Sequence, residues 1–402
     1  MLTTILIFIV ILGLLVFVHE FGHFIVAKKS GMRVLEFGFG FPPRLIGFQK
    51  IDGKWSVILG YRSPLPNPPP QGEGIIHGTS SLSSPADGEE VGGGEDSTIY
   101  SINAIPLGGF VKIWGENNEH EGDPRSFINR PFWARFLTLV AGVAMNVVLA
   151  WVIISIGLII GLQAKIESPS QIPKGAILKN PQVIIEKAIE QKPAHIAGLM
   201  AGDVILEIDG NPLADYSAAR QYISTSKTSE ITVKVLRENR ELFVAVSPET
   251  NPETQEKFIG VELANLGTIS FPAHLAFIKG VKFTGIQLLN IGYGLFGLLR
   301  GEIGLENVGG PVKIAQLTGQ VAKQGLSSLM QFTAFLSLNL AILNLLPFPA
   351  LDGGRVFFLI IEKLRRKRNN PRIEQAVNAA GFAFLILLMV LVTIKDVKGI
   401  GN

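Results

Sequence analysis

The chain contains no cysteine. That excludes a disulfide framework, a thiol nucleophile and a thiolate metal site, and leaves any bound metal to His, Asp or Glu. Charge is scarce as well: 17% of the 402 residues are Asp, Glu, Lys or Arg, against about 25% in an ordinary soluble domain. Neither sign dominates, with 36 basic and 33 acidic side chains, so a nucleic-acid partner is not expected. What the chain has in abundance is apolar surface, at 47% hydrophobic residues and a mean hydropathy of +0.36. Low charge with high apolarity reverses the signature of disorder and argues against an ordinary cytosolic enzyme.

The apolar residues are clumped into four runs, 1–28, 132–162, 328–354 and 375–395. Each is long enough to cross a hydrocarbon core of roughly 30 Å, which takes about 20 helical residues. The first run lacks a basic n-region, and Ala27 is followed by Lys28 and Lys29 rather than by a small-residue cleavage site. It therefore reads as a retained membrane helix, not a cleaved signal. Lys28, Lys29, Arg33 and Arg44 follow the first run, and Arg125 and Arg130 precede the second. Arg355, Lys363, Arg365, Arg366, Lys367, Arg368 and Arg372 lie in 355–374, between the third and fourth. The positive-inside rule puts both loops in the cytoplasm and the segment between runs two and three outside. Leu275 to Leu299 carries Lys279, Lys282, Gln287 and Asn290. It reads as an amphipathic helix on the outer membrane surface, within a juxtamembrane segment 266–327.

Residues 165–265 alternate short β-branched runs with turn signals such as Asp209-Gly210-Asn211-Pro212, the mark of a small α/β module. Ala194 to Gly210, with Ala197-Gly198-Leu199 and Gly202-Asp203, resembles the central stretch of a PDZ domain. Such domains bind extended peptides by strand addition; a purely steric plug is the other reading. In the cytoplasmic loop 29–131, residues 34–61 and 98–114 read as strands. The Pro-, Gly-, Ser- and Glu-rich tract 63–97 between them cannot bury a core and is expected to be disordered.

His19-Glu20-Phe21-Gly22-His23 is an H-E-x-x-H motif inside the first apolar run. On a helix both imidazoles share a face and reach one Zn²⁺, and Glu20 is placed to polarise water. Three ionisable side chains within a membrane helix are costly and functional by default. A catalytic zinc needs a third protein ligand and an open position. The best carboxylate is Asp352, in the run from Asn344 to Arg355. There Pro347 and Pro349 break the helix and Gly353-Gly354 permits a sharp turn. Irregular backbone at membrane depth is tolerated only when buried in protein or lining a wet cavity. Both His23 and Asp352 fall just before basic loops, so the charge-based orientation puts them at the same, cytoplasmic, side.

Together these motifs are similar to those of the site-2 protease family of intramembrane zinc metalloproteases, in particular its bacterial regulator-of-sigma-E protease branch. Further matching patches are Phe37 to Phe41, Tyr100 to Lys112, Gly309 to Ala315 and the N-x-x-P-x-P-x-L-D-G run from Asn344. The resemblance implies His19, His23 and Asp352 as zinc ligands and Glu20 as catalytic acid/base. It also implies Asn344, with Pro347 and Pro349, as substrate-positioning residues, and a β region that pairs with unwound substrate. The expected architecture is an α-helical polytopic membrane protein of four transmembrane helices. It carries a membrane-associated β region and one inserted α/β PDZ-like domain. The expected location is the bacterial cytoplasmic (inner) membrane, and the partners are membrane lipid and transmembrane substrates such as anti-sigma factors or signal-peptide remnants. Where some relatives carry two PDZ-like units, one is visible here, and 63–97 interrupts the β region. A catalytically inactive membrane PDZ adaptor is the alternative; intact Glu20 and Asp352 argue against it.

Overall fold

The computed structural model describes all residues except 1, 52, 61–96, 117–121, 167–173, 214, 238–239, 253–254, 303, 305–308 and 401–402. All of the 63–97 tract but Ser97 therefore lies outside the described residues. The chain divides into two compact units: Met1–Trp151 with Thr284–Gln324 and Phe332–Asn402, and Val152–Phe283 with Gly325–Gln331. Among the described residues, four helices are long and apolar enough to cross a membrane: Leu2–Lys29, Phe132–Ile160, Leu326–Leu345 and Pro371–Lys398.

In the first unit, α1 (Leu2–Lys29) has no proline or polar break before His19. Apart from Gly13, its buried residues, Ile11, Leu15, His19, Gly22, His23 and Ala27, follow a spacing of three to four positions and so form one stripe. Leu2, Leu6, Val10 and Leu14 face outward, as they do in a helix whose surroundings are apolar on every side. Three strands follow, β1 (Val34–Ile51), β2 (Lys54–Leu59) and β3 (Ile99–Ile113), in the order β2-β1-β3. β1 and β3 each serve twice. Phe37 pairs with both Val111 and Tyr100, and Tyr100 pairs with both Phe37 and Phe48. The interlocked sheet packs on α1 through glycines: a Cβ on Gly108 would meet Val16 at 2.6 Å. Leu45, Trp55, Val57 and Leu59 of the β1–β2 hairpin are exposed. Glu36, buried in β1, is neutralised by the Arg44 guanidinium, whose Nε donates to Oε1 at 2.9 Å.

Helix α2 (Phe132–Ile160) starts immediately after Pro131, where a missing N–H costs nothing. In the second unit, β4 (Leu162–Ile166), β5 (Ile177–Ala188), α3 (Pro193–Ile196), β6 (Val204–Ile208), β7 (Asn211–Pro212), α4 (Tyr216–Thr225), β8 (Ile231–Arg237), β9 (Arg240–Val246), β10 (Glu249–Thr250), β11 (Lys257–Phe258) and β12 (Val261–Ser270) follow. An antiparallel sheet runs β4-β12-β5-β6-β8-β9, with β7 beside β6. Ile185, Ile205, Ile208, Ile231, Val233 and Val246 fill its core. Asp203 is buried and paired twice with Arg237, at 2.6 Å from both Nε and Nη2, while Arg237 also donates to the Gly198 carbonyl. The Gly198 to Asp203 stretch, legible as a motif, is thus a turn tied to β8.

Helices α5 (Ala273–Leu299), α6 (Pro311–Lys323), α7 (Leu326–Leu345), α8 (Asp352–Arg365) and α9 (Pro371–Ile400) complete the chain. The third apolar run, expected as 328–354, is helical only to Leu345. Proline lacks the N–H a helix needs and pushes its predecessor out of the α region, so Pro347 and Pro349 enforce the break. A new helix begins at Asp352 and runs through the first half of the basic segment 355–374. Its Phe357, Ile360 and Leu364 form an exposed apolar stripe. Arg135 of α2 grips Glu362 of α8 in a bidentate pair at 2.7 and 3.2 Å, the stronger form of such contacts.

Candidate metal centre and active site

Three ligand atoms converge in the first unit. His19 Nε2 lies 2.9 Å from Asp352 Oδ2 and 3.2 Å from His23 Nε2, and His23 Nε2 lies 3.4 Å from Asp352 Oδ2. A tetrahedral ion with bonds of about 2.0–2.1 Å to N and O separates its ligands by about 3.3 Å. The three sides of the triangle scatter around that value. Among the described residues this is the group of three His, Asp or Glu side chains that could hold a metal ion.

The surrounding hydrogen bonds favour a cation. His23 Nδ1 lies 2.7 Å from the Thr138 carbonyl oxygen. A carbonyl only accepts, so Nδ1 carries a proton, and in the neutral ring Nε2 would present a lone pair. That lone pair points toward the Asp352 carboxylate, which also only accepts. Two acceptors 3.4 Å apart repel unless a positive charge, a metal ion or a proton on His23, stands between them. The donor set of two imidazoles and one carboxylate suits zinc and leaves a fourth position open.

Local sequence puts each atom in place. Four residues make one helical turn and a little more, so His19 and His23 stack on the buried stripe of α1. Gly22 lets α2 approach: a Cβ there would meet Met145 Cγ at 2.7 Å and the Ala141 carbonyl. Asp352 is brought in by the break after α7. Leu346 to Leu351 turn through contacts of Phe348 N with Leu346 O and of Leu351 N with Phe348 O, and the Ala350 N–H is held by Asn378 Oδ1 of α9 at 3.1 Å. Gly353 and Gly354 are required there, because a Cβ on either would strike the carbonyls of Leu346 or Phe348.

A cavity of about 210 Å³ opens on the cluster, walled by Val16, His19, Glu20, Leu340, Asn344, Ala350, Leu351 and Asp352. Glu20 and Asn344 thus share its wall, with Asn344 Nδ2 3.4 Å from His19 Nε2. Pro347 and Pro349 are not on that wall; they shape the turn, and Pro349 lies against Gly381 of α9. Three residues from Asp352, Arg355 is ion-paired with Glu116, just beyond β3. The neighbouring Glu116 carboxylate holds the guanidinium pKa above its ordinary value. That pair ties the β region to the helix that begins at Asp352.

Sequence reasoning did not single out the contributions of α2. Thr138 holds His23 by its carbonyl, Gly142 lies against both rings, and Asn146 touches His19 Nδ1 at 3.1 Å. The three are spaced four apart in a predominantly apolar helix. This stripe of small and polar residues was a readable signal.

A two-histidine, one-carboxylate cluster beside a cavity-lining glutamate, in a chain with membrane-length apolar helices, defines the class of zinc-dependent membrane peptidases. Comparison with known proteins agrees. The model of peptidase family M50 matches residues 7–61 and 91–388, and the chain belongs to that family. It is 32% identical over 438 residues to the regulator of sigma-W protease RasP of Bacillus subtilis, covering 98% of each chain. It is 30% identical over 434 residues to the zinc metalloprotease RasP of Bacillus licheniformis, covering 98% of this chain and 99% of the relative. A solved PDZ domain of an SdrC-like protein from Listeria innocua is 25% identical, covering 20% of this chain and 92% of that one. Its TM-score of 0.19 is too low to define a fold. The protein is therefore a zinc metalloendopeptidase of the site-2 type, an intramembrane protease of the bacterial membrane that acts on membrane proteins.

Proposed function

We propose that His19, His23 and Asp352 hold the catalytic zinc and that Glu20 is the general base and acid for peptide-bond hydrolysis within transmembrane segments. The observation that carries this reading is the triangle of ligand atoms at tetrahedral spacing, with Glu20 on the wall of the cavity beside it. When bound, zinc supplies the Lewis acidity that polarises a carbonyl and makes water a nucleophile near neutral pH. Glu20 takes a proton from the attacking water and returns it to the departing amine. Asn344 donates from Nδ2 to the carbonyl oxygen as charge develops on it, in the manner of an oxyanion-hole donor. Pro347 and Pro349 fix the turn that presents Asn344 and Asp352 together.

A transmembrane helix keeps its backbone groups bonded to one another, so substrate must unwind before cleavage. Among the described residues the outer edge of β2 has no strand partner, and Phe39, Phe41, Ile102 and Ile105 of the β1–β3 pair are exposed; both offer surface for an extended segment. Anti-sigma factors and signal-peptide remnants are the substrates this reading favours; the first accords with the regulatory name of the Bacillus subtilis relative. The excess of Lys and Arg beside α1 and within 355–374 supports a reading with the site toward the cytoplasm and the 165–265 domain outside.

The test of the ligand set is metal content. The purified protein should carry one tightly bound zinc, chelation should stop cleavage of a reporter transmembrane peptide, and added zinc should restore it. His19→Ala and Asp352→Ala should each purify with much less than one zinc; full occupancy in either would sink the assignment.

The PDZ-like domain reads as a filter that excludes substrates with bulky ectodomains. Deleting 165–265 should permit cleavage of an untrimmed substrate. Unchanged selectivity in a variant that still cleaves trimmed substrate would overturn that role.

A further inference from the structure

Asn146 is fully buried in α2, yet its Oδ1 has no hydrogen-bond partner, while its Nδ2 lies 3.1 Å from His19 Nδ1. A buried acceptor left unpaired is costly, because it has given up its water and gained nothing in return. The opposite end of the amide makes a second difficulty. With Nε2 of His19 directed at a cation, the proton of the neutral ring sits on Nδ1. An amide nitrogen facing that N–H sets a donor against a donor. Turning the carboxamide by 180° exchanges two atoms that are nearly equivalent in shape. Oδ1 then accepts from His19 Nδ1–H, and both difficulties are removed together.

We propose that Asn146 is a positioning residue for the metal centre: its carboxamide oxygen accepts from His19 Nδ1–H, fixing the tautomer and ring orientation that present Nε2 to zinc. The arrangement parallels His23, whose Nδ1 is held by the Thr138 carbonyl from the same helix. α2 therefore supplies the outer hydrogen bond to both histidines, one from main chain and one from a side chain. Asn146 is itself held in place, since its main-chain carbonyl accepts from Ser337 Oγ of α7 at 2.8 Å. Gly142, one turn earlier, leaves room for both rings.

The proposal rests on His19 being a zinc ligand, and the experiment separates the two claims. Zinc affinity is measured on the detergent-solubilised full chain by competition with a chromogenic chelator, alongside the visible spectrum of the cobalt-substituted protein. Asn146→Asp, which keeps an acceptor at the same position, should bind within about threefold of the parent, whereas Asn146→Leu should lose about 10- to 100-fold. The cobalt spectrum should shift in Asn146→Leu and stay close to the parent in Asn146→Asp. Asn146→Ala repeats the removal with less bulk if the leucine variant does not fold. Parent affinity in Asn146→Leu or Asn146→Ala overturns the proposal. So does an Asn146→Asp variant that falls as far as Asn146→Leu, because the contact would then need a donor. His19→Ala is the control. If it binds zinc like the parent, the ligand assignment has failed; if it loses zinc and the leucine and alanine variants do not, only the role of Asn146 has failed.

Discussion

Glu20→Gln should slow cleavage of a reporter transmembrane peptide by about 10²- to 10⁴-fold, the usual contribution of a positioned general acid–base group. The zinc content should stay at that of the parent. The substitution keeps the size and hydrogen-bonding reach of the side chain and removes only its ability to carry a proton between water and the leaving amine. Glu20 is absent from the triangle of ligand atoms but lines the cavity that touches it, so under the proposed roles metal binding and proton transfer should separate on mutation. The measurement is a pair: metal analysis and cleavage rate on one preparation. A Glu20→Gln protein that holds zinc and cleaves at the parent rate would remove Glu20 from the mechanism. One that loses zinc would mean that Glu20 supports the metal centre.

The features legible in the sequence are those that depend on local spacing or on expensive exceptions. Ionisable residues are conspicuous in an apolar run, so His19, Glu20 and His23 stand out. The four membrane-length helices follow from the same arithmetic of apolar length. Asp352 was findable because two prolines interrupt an apolar segment, although the same prolines end α7 at Leu345 and start a separate α8, which the hydropathy of 328–354 hid. The basic side chains of 355–374 masked the helical spacing of Phe357, Ile360 and Leu364. The double pairing of β1 and β3 was not readable, since Phe37 gives no sign that it faces Val111 on one edge and Tyr100 on the other. Such register is decided by long-range contacts. The α2 face was legible only as a four-residue spacing of small and polar residues: Thr138 acts through its main-chain carbonyl and Gly142 through having no side chain, and neither use shows in the sequence.

That neighbour makes Gly142 the more severe structural test. A Cβ at Gly142 would stand 2.7 Å from both Nε2 and Cε1 of His19, and closer still to His23 Nε2. Real carbon contacts do not approach so near, so one of the parts must move. α2 cannot simply withdraw, because Gly22 of α1 is seated against the Ala141 carbonyl and Met145 one turn along the same crossing. The two glycines interlock the helices, and the strain falls on the imidazoles. Overpacking of this kind costs about 1–3 kcal/mol, which corresponds to about a 5- to 150-fold loss of zinc affinity if the ligand set bears it. Gly142→Ala should therefore purify zinc-poor at limiting metal, and Gly142→Leu should bind none. Gly285 of α5 is the control: nothing lies within 4 Å of its Cβ position. Alanine there should leave zinc affinity alone while improving helix propensity by about 1 kcal/mol. The contrast isolates packing from propensity, because the same chemical change is made in two helices and only one abuts the histidines. Equal zinc affinity in both alanine variants would mean that the α1–α2 crossing yields freely. The spacing of His19, His23 and Asp352 would then be held by something other than that interlock.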